Sequence, residues 1–228
     1  AGPSLALSCI ANHFQWDLSG HIAKEYHNRF KEDETTTGRV ETHAMARGQQ
    51  HSLDLSYSYE ETMLRESLEE TWGLHRYHTG MLTYTLNATP STILSLGYTR
   101  TMENAPSPDE DVVSDGGRAT VTYRMTPRNT LDLSAAYTAY RYDASPEVEV
   151  TPDVNVSEAR LRWLYAIRQH LRIGPEFSYE QHDYKELSTL DTYTGALGLE
   201  YDFSPSTSMT GSIGRSWLRS EDDDNHET

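Results

Sequence analysis

Histidines beside carboxylates are the first residues whose types could support chemistry. They are densest in "HRYH" at 75–78 and "QHD" at 181–183. A histidine next to a carboxylate can act as a general base. If these segments are β-strands, however, adjacent side chains point to opposite faces, so His182 and Asp183 diverge. The pattern therefore favours solvated histidines, and a hydrolase or acyltransferase site is the weaker hypothesis.

The acidic segments are the second group of candidates, because their carboxylates could bind a metal ion. Aspartates and glutamates are concentrated in "DEDVVSDGG" at 109–117 and "SEDDDNHET" at 220–228. A calcium loop requires oxygen ligands at alternating positions and a glycine at the tight turn, and neither segment has that pattern. We expect a solvated negative surface and no defined metal site, with diffuse binding of divalent cations as the alternative.

Cys9 is the single cysteine, so no internal disulfide can form. The preceding "ALS" is a poor lipidation signal. The sequence contains no C-x-x-C-H motif, so no covalently attached haem and no other cofactor is expected. We interpret Cys9 as a small apolar strand residue.

The overall composition argues against a nucleic-acid-binding function and against transmembrane helices. A net charge of −16 and a pI near 4.9 argue against a nucleic-acid partner. Mean hydropathy is −0.70 and no apolar run is long enough for a transmembrane helix. A transmembrane β-strand needs apolar side chains on one face only, so a membrane location stays open.

Strict alternation is the main structural signal. In "LDLSYSYE" at 53–60, leucines and tyrosines occupy one face while Asp54, Ser56 and Ser58 occupy the other. "RATVTYRMT" at 118–126 and "ALGLEYDF" at 196–203 alternate in the same way. Period two with β-branched and aromatic residues predicts strands.

The strands recur as hairpins about every 40 residues, enough for two strands, a tight turn and a long loop. Rising strands are predicted near 5–16, 52–65, 92–102, 130–142, 171–184 and 207–219, and descending strands near 39–46, 71–86, 118–126, 157–167 and 191–203. This gives about eleven strands. Residues 13–30 alternate with a parity opposite to that of Leu7, which predicts a bulge or an extra turn near 11–13.

Two kinds of connection join these strands. Short turns at 46–52, 87–92, 126–130, 167–170 and 204–207 contrast with long acidic loops at 31–38, 103–117, 143–155 and 220–228. Short turns at one end and long loops at the other are typical of outer-membrane barrels. We therefore predict an all-β, antiparallel up-and-down transmembrane β-barrel, or part of one.

Tyrosines recur at fixed positions along the strands, where they would anchor the protein at the two membrane interfaces. The predicted belts comprise Tyr84, Tyr123, Tyr165 and Tyr201 near the short turns and Tyr98, Tyr137 and Tyr179 near the long loops. The opposite strand faces would line a water-filled lumen. The lumen-facing candidates are Asp54, Ser56, Ser58, Thr120, Arg124, Asp132, Arg160 and Arg162.

The turn-and-riser segments "TPSTILSLGY", "TPRNTLDLSAAY" and "SPSTSMTGSIG" resemble those of large Gram-negative outer-membrane barrels built from repeated hairpins. Two such groups are the MtrB/PioB-type barrels that sheathe a multihaem cytochrome and the barrels associated with exopolysaccharide or exosortase systems. The resemblance implies an outer-membrane location, contact with outer-membrane lipid, and a partner threaded through the barrel, either a multihaem cytochrome or an export component.

We therefore expect residues 1–228 to form a single barrel domain that is incomplete at one or both ends. Its predicted function is a porin-like conduit, or a scaffold for a partner that crosses the outer membrane. The alternatives are a soluble or secreted β-rich binding protein and, less favoured, an outer-membrane enzyme.

Overall fold

A computed structural model of the chain describes residues 3–26, 34–65, 72–104, 111–143, 152–185, 188–204 and 207–220. These residues form twelve β-strands and no helix: β1 (Ser4–Ala11), β2 (Phe14–Tyr26), β3 (Glu34–Arg47), β4 (His51–Arg65), β5 (Trp72–Thr89), β6 (Thr92–Asn104), β7 (Asp111–Thr126), β8 (Asn129–Asp143), β9 (Val154–Arg168), β10 (Leu171–Tyr184), β11 (Thr189–Ser204) and β12 (Thr207–Ser220). Within the described ranges, no helix is long and apolar enough to cross a membrane.

The strands hydrogen-bond to their neighbours in chain order, from β1 at one end of the sheet to β12 at the other. The pairings within β1–β4 and within β9–β12 are all antiparallel. The predicted all-β, antiparallel up-and-down fold is confirmed.

The predicted riser at 5–16 is wrong, because it contains two strands. β1 and β2 meet at a turn at Asn12–His13, and Ala11 pairs with Phe14. β1 is thus a descending strand and β2 is the first riser, which explains the change of parity near residues 11–13. The strand count rises to twelve in the described residues. With Phe14 as the first riser start, the spacing of about 40 residues holds along the chain.

The strands extend further toward the long loops than the sequence indicated. β3 begins at Glu34 and β7 at Asp111, so 34–38 and 111–117 belong to strands and the predicted loops 31–38 and 103–117 are too long. Glu103 lies in β6. The other acidic residues of those loops, Glu32, Asp33, Asp109 and Glu110, lie outside the described residues, together with 144–151 and 221–228.

The described residues divide into two compact units. The first comprises residues 1–84, 97–116 and 140–153, and the second comprises 85–96, 117–139 and 154–228. In the first unit, register places Leu7, Leu18 and Thr42 side by side on one face of β1, β2 and β3. Asp17 and His43 pair on the opposite face. Each strand therefore has one polar and one apolar face.

The second unit repeats this division. Ile173, Leu199 and Gly211 align on the apolar face of β10, β11 and β12, while Arg172 and Glu200 align on the polar face. Across the described residues, thirty large hydrophobic side chains are exposed and only Val154, Val156 and Leu164 are buried hydrophobic residues. A water-soluble fold buries most of its large hydrophobic side chains, whereas the described residues of this sheet leave these side chains uncovered.

Gly174 marks a close approach of two main chains in the second unit. A Cβ atom at this position would lie 1.7 Å from the Trp163 carbonyl oxygen and 3.2 Å from the Leu164 Cα. The β9–β10 ladder is interrupted at this level, and Leu164 is 3% exposed. Only glycine fits this position without displacing the β9 main chain.

Gly174→Ala is therefore expected to lower the free energy of unfolding by about 1–3 kcal/mol, because the methyl group must push β9 aside. A urea titration of the chain folded in detergent micelles measures the change. Gly211→Ala is the matched control, since nothing lies within 4 Å of a Cβ at Gly211. Equal effects of the two substitutions would contradict the close approach at Gly174.

Candidate functional site

Five charged side chains of alternating sign form a continuous ionic chain on the polar face of the second unit. Arg162 Nη2 donates to Asp132 Oδ2 at 2.9 Å and Arg162 Nη1 to Glu200 Oε1 at 2.6 Å. Arg172 then donates to Glu200 Oε2 at 3.1 Å and to Asp202 Oδ2 at 3.3 Å. The ionic chain thus connects β8, β9, β10 and β11.

Strand register explains how this ionic chain forms. Glu200 lies directly opposite Arg172 on the neighbouring strand, so that pair is local. Arg162 lies opposite Glu176 on β10 and reaches Glu200 across that strand. Gly174 occupies the intervening position on the same face of β10, between Arg172 and Glu176.

Partial burial strengthens the central pair. The Glu200 side chain is 16% exposed and that of Arg162 is 27% exposed. Water screens such a pair less than it screens an exposed one, and charged N–H···O contacts are among the stronger hydrogen bonds. The arrangement fixes the two arginines in position.

The ionic chain forms part of the wall of a polar recess of about 740 Å³ near the short-turn ends of the strands. Arg124 also lines this recess, as do Pro90 and Pro127 at the turns. Within the described ranges, no carboxylate is paired with the Arg124 guanidinium. Asp132 and Glu200 of the recess, by contrast, are both engaged by Arg162. The recess therefore combines neutralised charges with one cation able to attract a small anion.

The structure brings together several of the predicted lumen-facing residues of the second unit. Asp132 and Arg162 are bonded to each other, and Arg124 lines the same recess. Arg160 pairs with Glu176 at 2.5 Å. Thr120 lies on β7 among half-buried residues. Their exposure to a lumen stays a prediction.

The first unit holds the remaining lumen-facing candidates. Asp54 Oδ2 lies 2.8 Å from His43 Nε2, and His43 Nδ1 lies 3.8 Å from Asp17. Ser56 is opposite His43 in register, and Ser58 is opposite Glu41. A histidine between two carboxylates was not predicted from the sequence, because it depends on the register of three strands.

Sequence reasoning also missed Arg172, Glu176, Glu200 and Asp202. All four sit at alternate positions of predicted strands, on the faces opposite the apolar residues. That alternation was a sufficient signal to place them on the polar face. Their mutual contacts could not be derived without register.

The tyrosines near the long loops share a pattern of contacts on the apolar face. In the second unit, the hydroxyl of Tyr137 donates to Asn155 Oδ1 and that of Tyr179 to Asp191 Oδ1, both at 2.9 Å. In the first unit, the Tyr98 hydroxyl donates to Asp115 at 2.5 Å. The rising strands β6, β8 and β10 thus each present a tyrosine to a polar side chain of the next strand.

The tyrosines near the short turns lie at the other end of the apolar face. Tyr123, Tyr165 and Tyr201 are 43%, 42% and 37% exposed. In the first unit, the Tyr84 hydroxyl lies 2.5 Å from His51 Nδ1. The two interfacial belts stay a prediction, which these contacts and exposures support.

The distance between the two sets of tyrosines can be estimated from strand geometry. Tyr165 and Asn155 are separated by ten positions along β9, as are Tyr201 and Asp191 along β11. At about 3.4 Å per residue and a strand tilt of about 45°, ten positions correspond to about 24 Å across a membrane. The outward apolar band of outer-membrane barrels is about 25 Å tall.

In the described residues, the histidine candidates do not converge into one group, and His75, which was expected to be solvated, is 7% exposed with its Nδ1 3.1 Å from Glu103 Oε1. His182 Nε2 contacts Glu180 at 2.5 Å, and Asp183 lies on the other face. No group of three or more His, Cys, Asp or Glu residues in the described part of the chain can hold a metal ion. Cys9 is exposed and shares the apolar face with Leu7.

Comparisons with solved structures identify the fold. The siderophore receptor PirA from Pseudomonas aeruginosa superimposes with a TM-score of 0.63 over 92% of this chain, at 9% sequence identity. The chain has the antiparallel fold of outer-membrane β-barrel proteins. It spans 38% of the length of PirA.

A second structure, the CymD monoaromatic hydrocarbon channel, matches with a TM-score of 0.49 and 12% identity, covering 96% of this chain and 78% of that one. No protein-family model and no curated protein matches the sequence.

Glu200→Gln is expected to lower the free energy of unfolding by about 1–3 kcal/mol, because it removes the carboxylate shared by two half-buried arginines. Urea titration in micelles measures the loss. Glu158→Gln is the control, since Glu158 pairs with Arg118, which is 59% exposed, and such exposed pairs contribute about 0–1 kcal/mol. A smaller loss for Glu200→Gln than for Glu158→Gln would contradict the importance of the ionic chain.

Proposed function

We propose that this protein is an outer-membrane β-barrel, or part of one, that forms a water-filled conduit for small polar solutes. The observation that carries the proposal is the division of β9, β10 and β11 into a charged face and an exposed apolar face. Only a lipid environment stabilises an outward apolar surface of this extent, and the charged face then lines an aqueous passage.

The polar recess gives the conduit its selective element. Selectivity in such passages comes from charged side chains that line a narrow part of the lumen. The ionic chain holds Arg162 and Arg172 close to carboxylates, so their charges are largely compensated. Arg124 adds an uncompensated positive charge, which favours anions at the short-turn end.

The scaffold function stays a second proposal. A polar face with paired charges would also accommodate an inserted protein, such as the multihaem cytochrome or export component implied by the resemblance to repeat-hairpin barrels. The contacts of the described residues favour the conduit, because the recess of about 740 Å³ is open and suited to small solutes.

Two measurements test the conduit. Heat-modifiable migration on a denaturing gel reports a folded barrel, and planar-bilayer recording reports discrete single-channel currents. We expect both from the chain refolded in detergent and added to the bilayer. A chain that stays soluble without detergent and produces no currents would overturn the proposal.

Arg124→Ser is expected to shift the reversal potential toward cation preference, because it removes the uncompensated charge of the recess. Reversal potentials in a tenfold KCl gradient measure the shift. Arg118→Ser is the control, since Arg118 also lies on the polar face of β7 but is paired with Glu158 at 3.1 Å. An equal or larger shift for Arg118→Ser would show that Arg124 does not set the selectivity.

A further inference from the structure

The apolar face of the second unit contains a hollow of about 680 Å³. Its floor is made by small residues on four strands, and its walls are large apolar side chains. The floor residues are Ala119, Ala135, Ala159 and Gly195. The walls include Leu161, Phe177 and Trp217, which are 38%, 55% and 50% exposed. A hollow of this size falls within the range of about 300–1,000 Å³ found for small-molecule sites.

Gly195 is what keeps the hollow deep. A Cβ at this position would lie 3.6 Å from Trp217 and 3.9 Å from Phe177, so the two aromatic rings flank the glycine from opposite sides. A larger side chain would fill the space between the rings. The hollow is therefore a defined feature of this face and not a general roughness of the sheet.

Arg215 is a charged residue beside the hollow, on the apolar face, whereas Arg160 at the hollow lies on the polar face and pairs with Glu176. Arg215 is exposed on the apolar face of β12, directly opposite Gly195, and its guanidinium carbon lies 5.7 Å from the centroid of the Trp217 ring. Stacking on tryptophan directs the cation along the strand toward the long-loop end, as expected of an arginine that extends from an apolar surface to the interface.

Arg215 lies well below the level of the long-loop tyrosines, which is an unusual depth for a cation on an apolar face. The Asp191–Arg219 pair, at the level of the long-loop tyrosines, lies four positions further along the strand. Four positions correspond to about 10 Å across a tilted sheet. A cation on a lipid-facing surface at this depth costs free energy unless an anionic group compensates it.

We propose that the hollow binds an acyl chain of one anionic phospholipid of the surrounding bilayer, whose phosphate contacts the Arg215 guanidinium. The proposal rests on the membrane placement given under Proposed function. The apolar walls of the hollow suit the acyl chain of the lipid. Arg215 suits the head group, because a guanidinium forms charge-assisted hydrogen bonds to phosphate. The net charge of −16 disfavours an anionic lipid, but this charge is spread over the whole protein. The Arg215 guanidinium attracts the phosphate at contact distance.

Native mass spectrometry of the chain released from lipid nanodiscs tests the site. In nanodiscs of phosphatidylglycerol, we expect one retained lipid per chain. Arg215→Gln is expected to lower the retained fraction about tenfold, which is the effect of losing a hydrogen bond to a charged group. Gly195→Leu is expected to abolish retention by filling the hollow.

Two matched controls separate the site from general effects. Gly211→Leu makes the same change on the same face of the sheet, where nothing lies within 4 Å, and Arg118→Gln removes an arginine from the polar face. Both should retain lipid as the unaltered chain does. Equal retention of zwitterionic phosphatidylcholine, or displacement of the lipid by inorganic phosphate, would overturn the proposed lipid site.

The lipid site and the conduit fail in different ways. A chain that inserts, migrates as a heat-modifiable barrel and conducts, but retains no phosphatidylglycerol, overturns the lipid site and leaves the conduit intact. A chain that does not insert into a bilayer overturns both.

Discussion

Antiparallel main-chain pairing is the interaction on which the rest of this structure depends. Each strand hydrogen-bonds to its chain neighbour, and the pleat sends successive side chains to opposite faces. A shift of one residue in any strand would exchange its two faces, so register and amphipathic pattern enforce each other. In the second unit, this coupling places Arg172 beside Glu200 and Ile173 beside Leu199 along the same pair of strands. The charged face and the apolar face are therefore two consequences of one ladder.

The polar and apolar faces are stabilised by different physical means. On the polar face, the charged side chains are only partly buried. Positive and negative side chains alternate across β8, β9, β10 and β11, so that each charge is compensated by a neighbour. On the apolar face, exposed hydrophobic side chains gain nothing from packing against a protein core. In the proposed membrane placement, these side chains contact hydrocarbon, and the tyrosines bonded to polar partners lie where that surface ends.

Much of this fold was predictable from the sequence, and the limits are physical. Period-two alternation was sufficient to identify strands, faces and the tyrosine positions, because it reports directly on the pleat. The first hairpin was not resolved, because the turn at Asn12–His13 has neither proline nor glycine and its flanking residues, Ala11 and Phe14, continue an apolar run. The contact of Arg162 with Glu200 crosses β10 and reaches four positions along β11 from Ala196, the residue in register with Arg162, which no local pattern specifies.

The central claim is that the two faces of each strand contact different solvents. Spin labels placed at successive positions of β9 test it most directly, after Cys9→Ser removes the single native cysteine. In a reconstituted bilayer, labels at 159, 161 and 163 should collide with dissolved oxygen, while those at 158, 160 and 162 should collide with a water-soluble nickel complex. Strict alternation of the two accessibilities is the predicted result. Uniform access of the nickel complex along β9 would contradict a membrane-spanning sheet.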